Sequence, residues 1–390
     1  MTHFGDFQNE IYLKGLLGQR PDLPVTAEQV EHAARGAMST QAYAYVAGGA
    51  SSERTVAANR AAFDSWRIVP RMLRGITERD LSTTVLGTPM AAPVLLAPVG
   101  VTSLVHPQAD EAPARAAAAL GLASVVSTAS SIPMEHIAAA APDGARWYQL
   151  YWPRDDEVAE SLVRRAQAAG YRAIVLTADT WTLGWRPRDL ALGHLPFLRG
   201  SGIANYLSDP VFRSRLAQPP EAGEDALRNA ILTWVGMFGN PTLTFADIAR
   251  LKSWTTLPVL VKGICHADDA TAALDAGADG LVVSNHGGRQ VDGARAALDC
   301  LVDVVDAVGE RAPVLFDSGI RTGSDVVVAL ALGAVAVLLG RPWVYGLGLA
   351  GQRGVEHVLR CLLADLDLEL ALAGYRAPAE LTRGALVRER

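Results

Sequence analysis

The sequence predicts an α/β protein: a (β/α)8 TIM barrel with an N-terminal helical extension and a long lid after the fourth strand. Three observations carry this. Eight short apolar runs recur from about Ala92 onward, each followed by a polar or glycine-bearing turn and then an amphipathic stretch. The runs are continuously apolar rather than alternating, which suits strands buried on both faces of a parallel sheet. Reactive and charged residues gather where the runs end, and in such barrels the strand ends carry the site.

Residues 1–91 precede the first run. Within them 26–45 reads as helical and Gly48-Gly49 as a turn, so this segment is expected to pack on the barrel as a helical cap, with the barrel itself spanning 92–390. The runs are 93–97, 123–127, 147–150, 173–177, 258–262, 280–284, 313–317 and 334–340. Stretches such as 155–169 and 268–276 have helical character between them, and Gly277 stops the second. The connection from about 187 to 244 breaks the repeat. It carries clusters of Gly, Pro, Asn and Ser, and a connection of that length in a compact fold is expected to be a lid or a mobile segment.

Half of the 390 residues are apolar, so a large core is available. The formal net charge of -6 and the absence of a basic patch argue against a nucleic-acid partner. Cys265, Cys300 and Cys361 are few, odd in number and widely spaced, which argues against a disulfide framework or a metal site and fits a reducing compartment. The longest apolar run, 326–340, holds two glycines between Asp325 and Arg341 and is short for a membrane span. With no leader pattern at the start, a cytoplasmic protein without a membrane partner is expected.

The third run leads to Gln149 and Tyr151, the fourth to Thr177, Asp179 and Arg186, the fifth to Lys262. The sixth ends in Ser284-Asn285-His286-Gly287-Gly288-Arg289, the seventh in Asp317-Ser318-Gly319-Ile320-Arg321, the eighth in Gly340-Arg341-Pro342. The last two suggest phosphate. Glycine lets the backbone approach an anion, a helix N-terminus adds donors, and Arg321 and Arg341 can grip oxygens; the bland alternative is pairing with surface carboxylates. His286 is the leading general base, with Asp179 able to orient and charge-stabilise it; a structural histidine and a helix cap are the alternatives. Arg186 and Arg289 with a tyrosine hydroxyl suit a carboxylate clamp, against a reading as surface charge. For Lys262 a Schiff base or a core ion pair stays open.

The stretch Ser284-Asn285-His286-Gly287-Gly288-Arg289-Gln290 resembles the signature of the FMN-dependent α-hydroxy acid oxidases and dehydrogenases. Tyr45-Val46-Ala47-Gly48-Gly49, Pro70-Arg71-Met72-Leu73, Gly184-Trp185-Arg186-Pro187-Arg188 and Pro196-Phe197-Leu198-Arg199-Gly200 are similar to the lactate 2-monooxygenase branch of that family. The resemblance implies FMN as cofactor and oxidation of a small 2-hydroxy acid by O2, as a monooxygenase or, alternatively, as an oxidase releasing 2-keto acid and peroxide or a dehydrogenase. It implies that His286 takes the substrate proton and Asp179 pairs with it. Tyr45, Arg186 and Arg289 would bind the carboxylate, and Tyr151 the hydroxyl. Pro98, Val99 and Gly100 would lie by the reactive edge of the flavin. Ser127, Gln149, Thr177, Lys262 and Ser284 would hold ring and ribityl chain, with Lys262 stabilising the reduced ring. Asp317, Gly319, Arg321, Gly340 and Arg341 would hold ribityl end and phosphate, and Gly287-Gly288 would keep the backbone slim beside substrate and ring. A homotetramer or homo-octamer is the expected assembly. Ala129 stands where the family carries bulkier residues, which implies a roomier pocket and a larger acid than lactate. Because phosphate-binding barrels also serve isomerases, aldolases and synthases, a flavin-free acid-base enzyme is the competing class.

Overall fold

The protein is described over residues 3–389 in a computed structural model. The barrel strands are β1 Val94–Leu96, β2 Ala123–Ser127, β3 Ala145–Leu150, β4 Ile174–Thr177, β5 Val259–Ile264, β6 Gly280–Val283, β7 Val314–Phe316 and β8 Ala336–Leu339. Every run read from the sequence is one of these strands. Each pairs in parallel with its sequence neighbour, and β8 pairs with β1 to close the barrel, Val337 opposite Val94. The helices that follow are α1 Glu111–Ala119, α2 Met134–Ala140, α3 Asp156–Ala168, α4 Asp247–Ser253, α5 Ala267–Asp275, α6 Ala297–Val308, α7 Gly323–Ala331 and the kinked α8 Arg341–Ala373.

The continuous apolar runs follow from two cores. Leu95, Val125, Trp147, Val175, Leu260, Val282, Leu315 and Leu338 fill the barrel interior. Their neighbours Leu96, Val126, Tyr148, Val261 and Leu281 face outward into the cluster shared with the helices. A hairpin that the sequence did not suggest, Thr83–Val85 against Thr88–Met90, adds Val85 and Met90 to the interior cluster. It also satisfies the one polar atom of Trp147, whose Nε1 donates to Thr88 Oγ1 at 3.0 Å.

One reading needs correction. The helix expected over 26–45 is two helices, Ala27–Ala37 and Thr40–Ala47. Met38 is extended, and Ser39 starts the second by accepting from Ala42 N at 3.1 Å. The stretch 187–244 is largely helical, with its longest helix at Glu224–Met237. Pro187, Pro196, Pro210 and Pro220 sit in the first turn of short helices, where a missing N–H is harmless. An aromatic cluster holds the segment together, Phe197–Trp234 at 5.1 Å and Trp234–Phe238 at 5.0 Å between ring centroids. Strand Trp66–Ile68 pairs antiparallel with Leu386–Arg388. No described helix is long and apolar enough to cross a membrane.

Thr88→Val removes the acceptor for a fully buried indole while keeping the side chain's shape. It is expected to destabilise the fold by about 1–3 kcal/mol, read as a lower urea midpoint. A change within about 0.3 kcal/mol would mean that the hairpin does not hold Trp147 through this bond.

Candidate active site

The strand ends converge on one cavity of about 1030 Å³. Lining it are Tyr45 from the N-terminal segment, Pro98, Val99 and Gly100 after β1, Ser127 at the end of β2, Tyr151 after β3 and Lys262 in β5. Also lining it are Arg186, His286, Arg289, Asp317, Gly319, Arg321, Gly340 and Arg341, with Thr180 and Ser318. The remaining residues singled out from the sequence stand one contact behind. Gln149 accepts from Ser127 Oγ at 3.0 Å and donates to Thr177 Oγ1 at 3.0 Å. Ser284 Oγ lies 2.8 Å from Lys262 Nζ, and Asp179 Oδ1 lies 2.8 Å from His286 Nδ1.

His286 is held in a conformation that residues with a Cβ rarely adopt, φ +58°. Its N–H donates to Ser284 Oγ at 3.0 Å, the Gly287 N–H donates to Ser318 Oγ at 3.0 Å, and the Gly288 N–H to Asn285 Oδ1 at 3.2 Å. This bonded turn lifts the imidazole off the strand end. Thr180, which the sequence reading passed over, donates to Asp179 Oδ1 at 2.8 Å and sits 3.0 Å from His286 Nδ1. Burial lowers the His286 pKa against the opposing pull of Asp179. Burial acts to raise the Asp179 pKa, but His286, Lys262 and the Thr180 hydroxyl outweigh it and hold the carboxyl at about 2. Near neutral pH the pair is therefore a carboxylate and a neutral imidazole. The partner at Nδ1 assigns its proton there, leaving the Nε2 lone pair as the base.

Gln290 is the second residue missed. Its Oε1 accepts from Arg186 Nη2 at 2.9 Å and Gly184 N at 3.2 Å, and its Nε2 donates to the carbonyls of Asp179 at 2.9 Å and Thr182 at 2.7 Å. One amide thus joins the histidine turn to the segment 179–186 that follows β4. It directly follows the His-Gly-Gly-Arg run, which was the only sequence signal for it. Lys262 resolves to an ion pair, 3.0 Å from Asp317 Oδ2. Burial works against its charge, yet Asp317 and Asp179 raise its pKa.

The glycine pair makes room for neighbouring parts of the chain. A Cβ on Gly287 would meet Arg341 Nη1 at 2.7 Å, and one on Gly288 would meet Val56 N at 2.7 Å. The two glycines admit a guanidinium and the N-terminal helix Arg54–Asp64, and Gly287 also lines the cavity. Arg341 is also more engaged than expected. It donates to the carbonyls of Val46 at 3.0 Å, Gly287 at 3.0 Å and Gly48 at 2.9 Å. Arg289 donates to the carbonyls of Tyr45 and Gly48 at 2.6 and 2.7 Å. Arg321 donates to one carbonyl, its neighbour's.

Among the described residues none of Arg186, Arg289, Arg321 and Arg341 has a carboxylate within 4.0 Å. Burial, then the charge of Arg289, lowers both Arg186 and Arg341 to about 10, and burial lowers Arg321 as well. Cations placed deep, crowded together and left without anions form a site for anionic ligands. Beside them stand a positioned base and a helix, α8, whose first residue follows Gly340 with no side-chain cap.

A barrel with these features is an enzyme whose ligands carry negative charge at more than one point. Comparison with known proteins gives the class its name. The sequence profile described as FMN-dependent dehydrogenase matches residues 34–388, and the chain belongs to that family. It is an oxidoreductase with FMN as cofactor. The chain is 44% identical over 388 residues to the FMN-dependent alpha-hydroxy acid dehydrogenase qulF of Penicillium citrinum, covering 99% of this chain and 96% of that one. It is 40% identical to an L-lactate oxidase of Lysinibacillus sphaericus, covering 96% and 95%. The crystal structure of an active mutant of (S)-mandelate dehydrogenase superposes with a TM-score of 0.84 at 36% identity, covering 93% and 99%.

The cavity fits FMN on its own chemistry. Arg321 and the uncapped start of α8 suit a phosphate, and Lys262 is a buried charge beside Ser127 and Gly100. Arg321→Ala is expected to weaken FMN binding by about 10- to 100-fold, the range for loss of a charge-assisted hydrogen bond. Titrating the apoprotein by flavin fluorescence checks this, and an unchanged Kd would remove Arg321 from the phosphate site.

Proposed function

We propose that this chain oxidises an L-2-hydroxy acid with O2, as a lactate 2-monooxygenase or a close relative acting on a bulkier acid. The observation that carries the reading is the neutral His286 on a carboxylate beside two carboxylate-free guanidiniums, Arg186 and Arg289, in the cavity of a family whose members include the alpha-hydroxy acid dehydrogenase and lactate oxidase above. When bound, FMN supplies the two-electron acceptor for the substrate's α-carbon and passes those electrons to O2.

The chain's own residues supply binding, orientation and proton transfer. Arg186 and Arg289 grip the substrate carboxylate as planar forks, with the Tyr45 ring 5.2 Å beneath the Arg289 guanidinium. The Tyr151 hydroxyl, whose pKa burial raises, stays protonated and donates to the substrate hydroxyl. His286 Nε2 takes the substrate proton, and Asp179 stabilises the imidazolium that results. Gln149 fixes Ser127 and Thr177, and Ser284 and Asp317 hold Lys262. The aromatics Phe197 and Phe238 line the cavity and would hold water off a bound substrate if the segment 187–244 acts as a lid. If keto acid and peroxide stay together behind the lid, peroxide adds to the keto carbon and the adduct loses CO2 and water, leaving the shortened acid. If the keto acid leaves first, the products are keto acid and peroxide.

Ala129 is buried on the wall of the cavity, and its Cβ occupies the space that a side chain on Gly100 would need, 2.7 Å away. With Leu183, Phe197 and Phe238 it makes an apolar part of the cavity wall, and its own side chain is a single methyl group.

Three groups of outcomes are expected. First, oxygen, peroxide and CO2 measured per acid oxidised will show CO2 released with little peroxide; peroxide in equal yield and no CO2 makes the enzyme an oxidase. In a panel of acids kcat/KM will rise from lactate to longer or aryl side chains, and a maximum at lactate removes the pocket argument. Second, His286→Ala will bind FMN but lose at least about 100-fold in anaerobic flavin bleaching by the acid, and Arg289→Lys will raise KM because a point charge replaces the fork. Third, a lowered pKa makes the base form persist to lower pH, so activity will be flat near neutrality and fall only below the ordinary histidine value of 6.5. A rate that falls off already above pH 7 contradicts a neutral His286 as base.

A further inference from the structure

Strand β5 contains an irregularity that no motif marks. Along its pairing with β6, Lys262 lies opposite Val282 and Ile264 opposite the very next residue, Val283, so Gly263 is an extra residue on the β5 side. This is a β-bulge, the device by which a strand re-aims a side chain. Gly263 has φ +107°, a conformation open to glycine and strained for any other residue. The space beside it is already filled. A Cβ there would lie 2.7 Å from Asp179 Cβ, 2.8 Å from its Cγ and 2.9 Å from its Oδ2. These are atoms near the root of the side chain, which cannot swing aside without moving the whole carboxylate.

We infer that Gly263 is a positioning residue: its bulge forms the seat on which the Asp179 carboxylate lies, and so sets the contact between Asp179 and His286. Thr180 and His286 hold Oδ1. Oδ2 makes no hydrogen bond and is buried, so on that side close packing against the bare backbone is what confines the carboxylate. The same extra residue leaves Lys262, one place earlier, in the cavity wall with its ammonium on Ser284 and Asp317. One bulge thereby sets two groups of opposite charge in place. The other charged or titratable groups coupled to the pair are Lys262 from β5, Cys265 just after it, Arg186 after β4 and Tyr151 after β3; of these only Lys262 is a chain neighbour of Gly263.

The test is a cycle of Gly263→Ala, Asp179→Gly and the double variant in the FMN-loaded enzyme. Asp179→Gly removes every atom that the new methyl group would meet. The first readout is the titration of His286 followed by NMR on labelled histidine. Because Asp179 favours the imidazolium, displacing it will move the His286 midpoint to lower pH by about one unit. Gly263→Ala will do this as Asp179→Gly does, and adding it to Asp179→Gly will change the midpoint no further. The second readout is the rate of anaerobic flavin bleaching, which rests on the 2-hydroxy acid reading. It will fall by about 10- to 100-fold in Gly263→Ala, with KM within about twofold because the arginine clamp is untouched, and will fall no further in the double variant. A parental His286 midpoint in Gly263→Ala overturns the inference, as does an equal loss of rate whether or not Asp179 is present. Should Gly263→Ala fail to fold, folding of the double variant upholds the contact, and failure of both shows that the glycine serves the strand alone. If no 2-hydroxy acid bleaches the parent enzyme, the functional reading fails while the imidazole titration still decides this one.

Discussion

The constraint on which the rest of the structure depends is the crowding of cations at one rim of the barrel. Arg186, Arg289, Arg321 and Arg341 lie around a single cavity without a carboxylate among them, and Lys262 has one. Enclosing charge in this way is unfavourable unless the charge is paired or hydrogen-bonded. The chain meets that cost with neutral acceptors: backbone carbonyls of 45–48, 287 and 289, and the Gln290 amide. Carbonyls hold a guanidinium in place without neutralising it, so the field remains available to an incoming anion.

This explains why the N-terminal segment belongs to the site. The carbonyls of Tyr45, Val46 and Gly48 come from the end of helix Thr40–Ala47, where the last carbonyls of a helix lack partners within it. Arg289 and Arg341 fill those vacancies and gain a negative helix end as partner. The two glycines after His286 let this happen, since side chains there would displace Arg341 and the backbone at Val56. The barrel alone would present the arginines on loops; the N-terminal helix aims them.

Much of this was legible because burial on both faces leaves a strand no polar positions, so the eight runs stood out, and because a histidine and arginines directly after buried strands have few structural uses. What could not be read falls into three physical kinds. Clusters of proline and glycine between 187 and 244 do not show where helices begin, since proline in a first helical turn starts a helix as well as it ends one; the type of residue did not reveal its position. Thr180 and Gln290 act through contacts, one across 106 residues to His286 and the other across 104 to Arg186, and neither residue type advertises such a partner. Gly263 acts through the side chain it lacks, and a lone glycine in an apolar run looks like any other.

The electrostatics of the base follow from where these contacts place it. Burial drives His286 toward neutrality, and the surrounding cations drive it further, so the imidazole would be a feeble base without an opposing charge. Asp179 supplies that charge in a form that stays ionised through the whole working pH range, because its own pKa is held at about 2. The pair therefore rests as neutral imidazole and fixed anion, and on the proposed reading a proton taken by His286 would find the anion already in place. Phe197 and Phe238 line the same cavity; on the proposed reading, water held off by them would strengthen both this attraction and the pull of the arginines on an anionic substrate, because the same charges act more strongly at a lower dielectric.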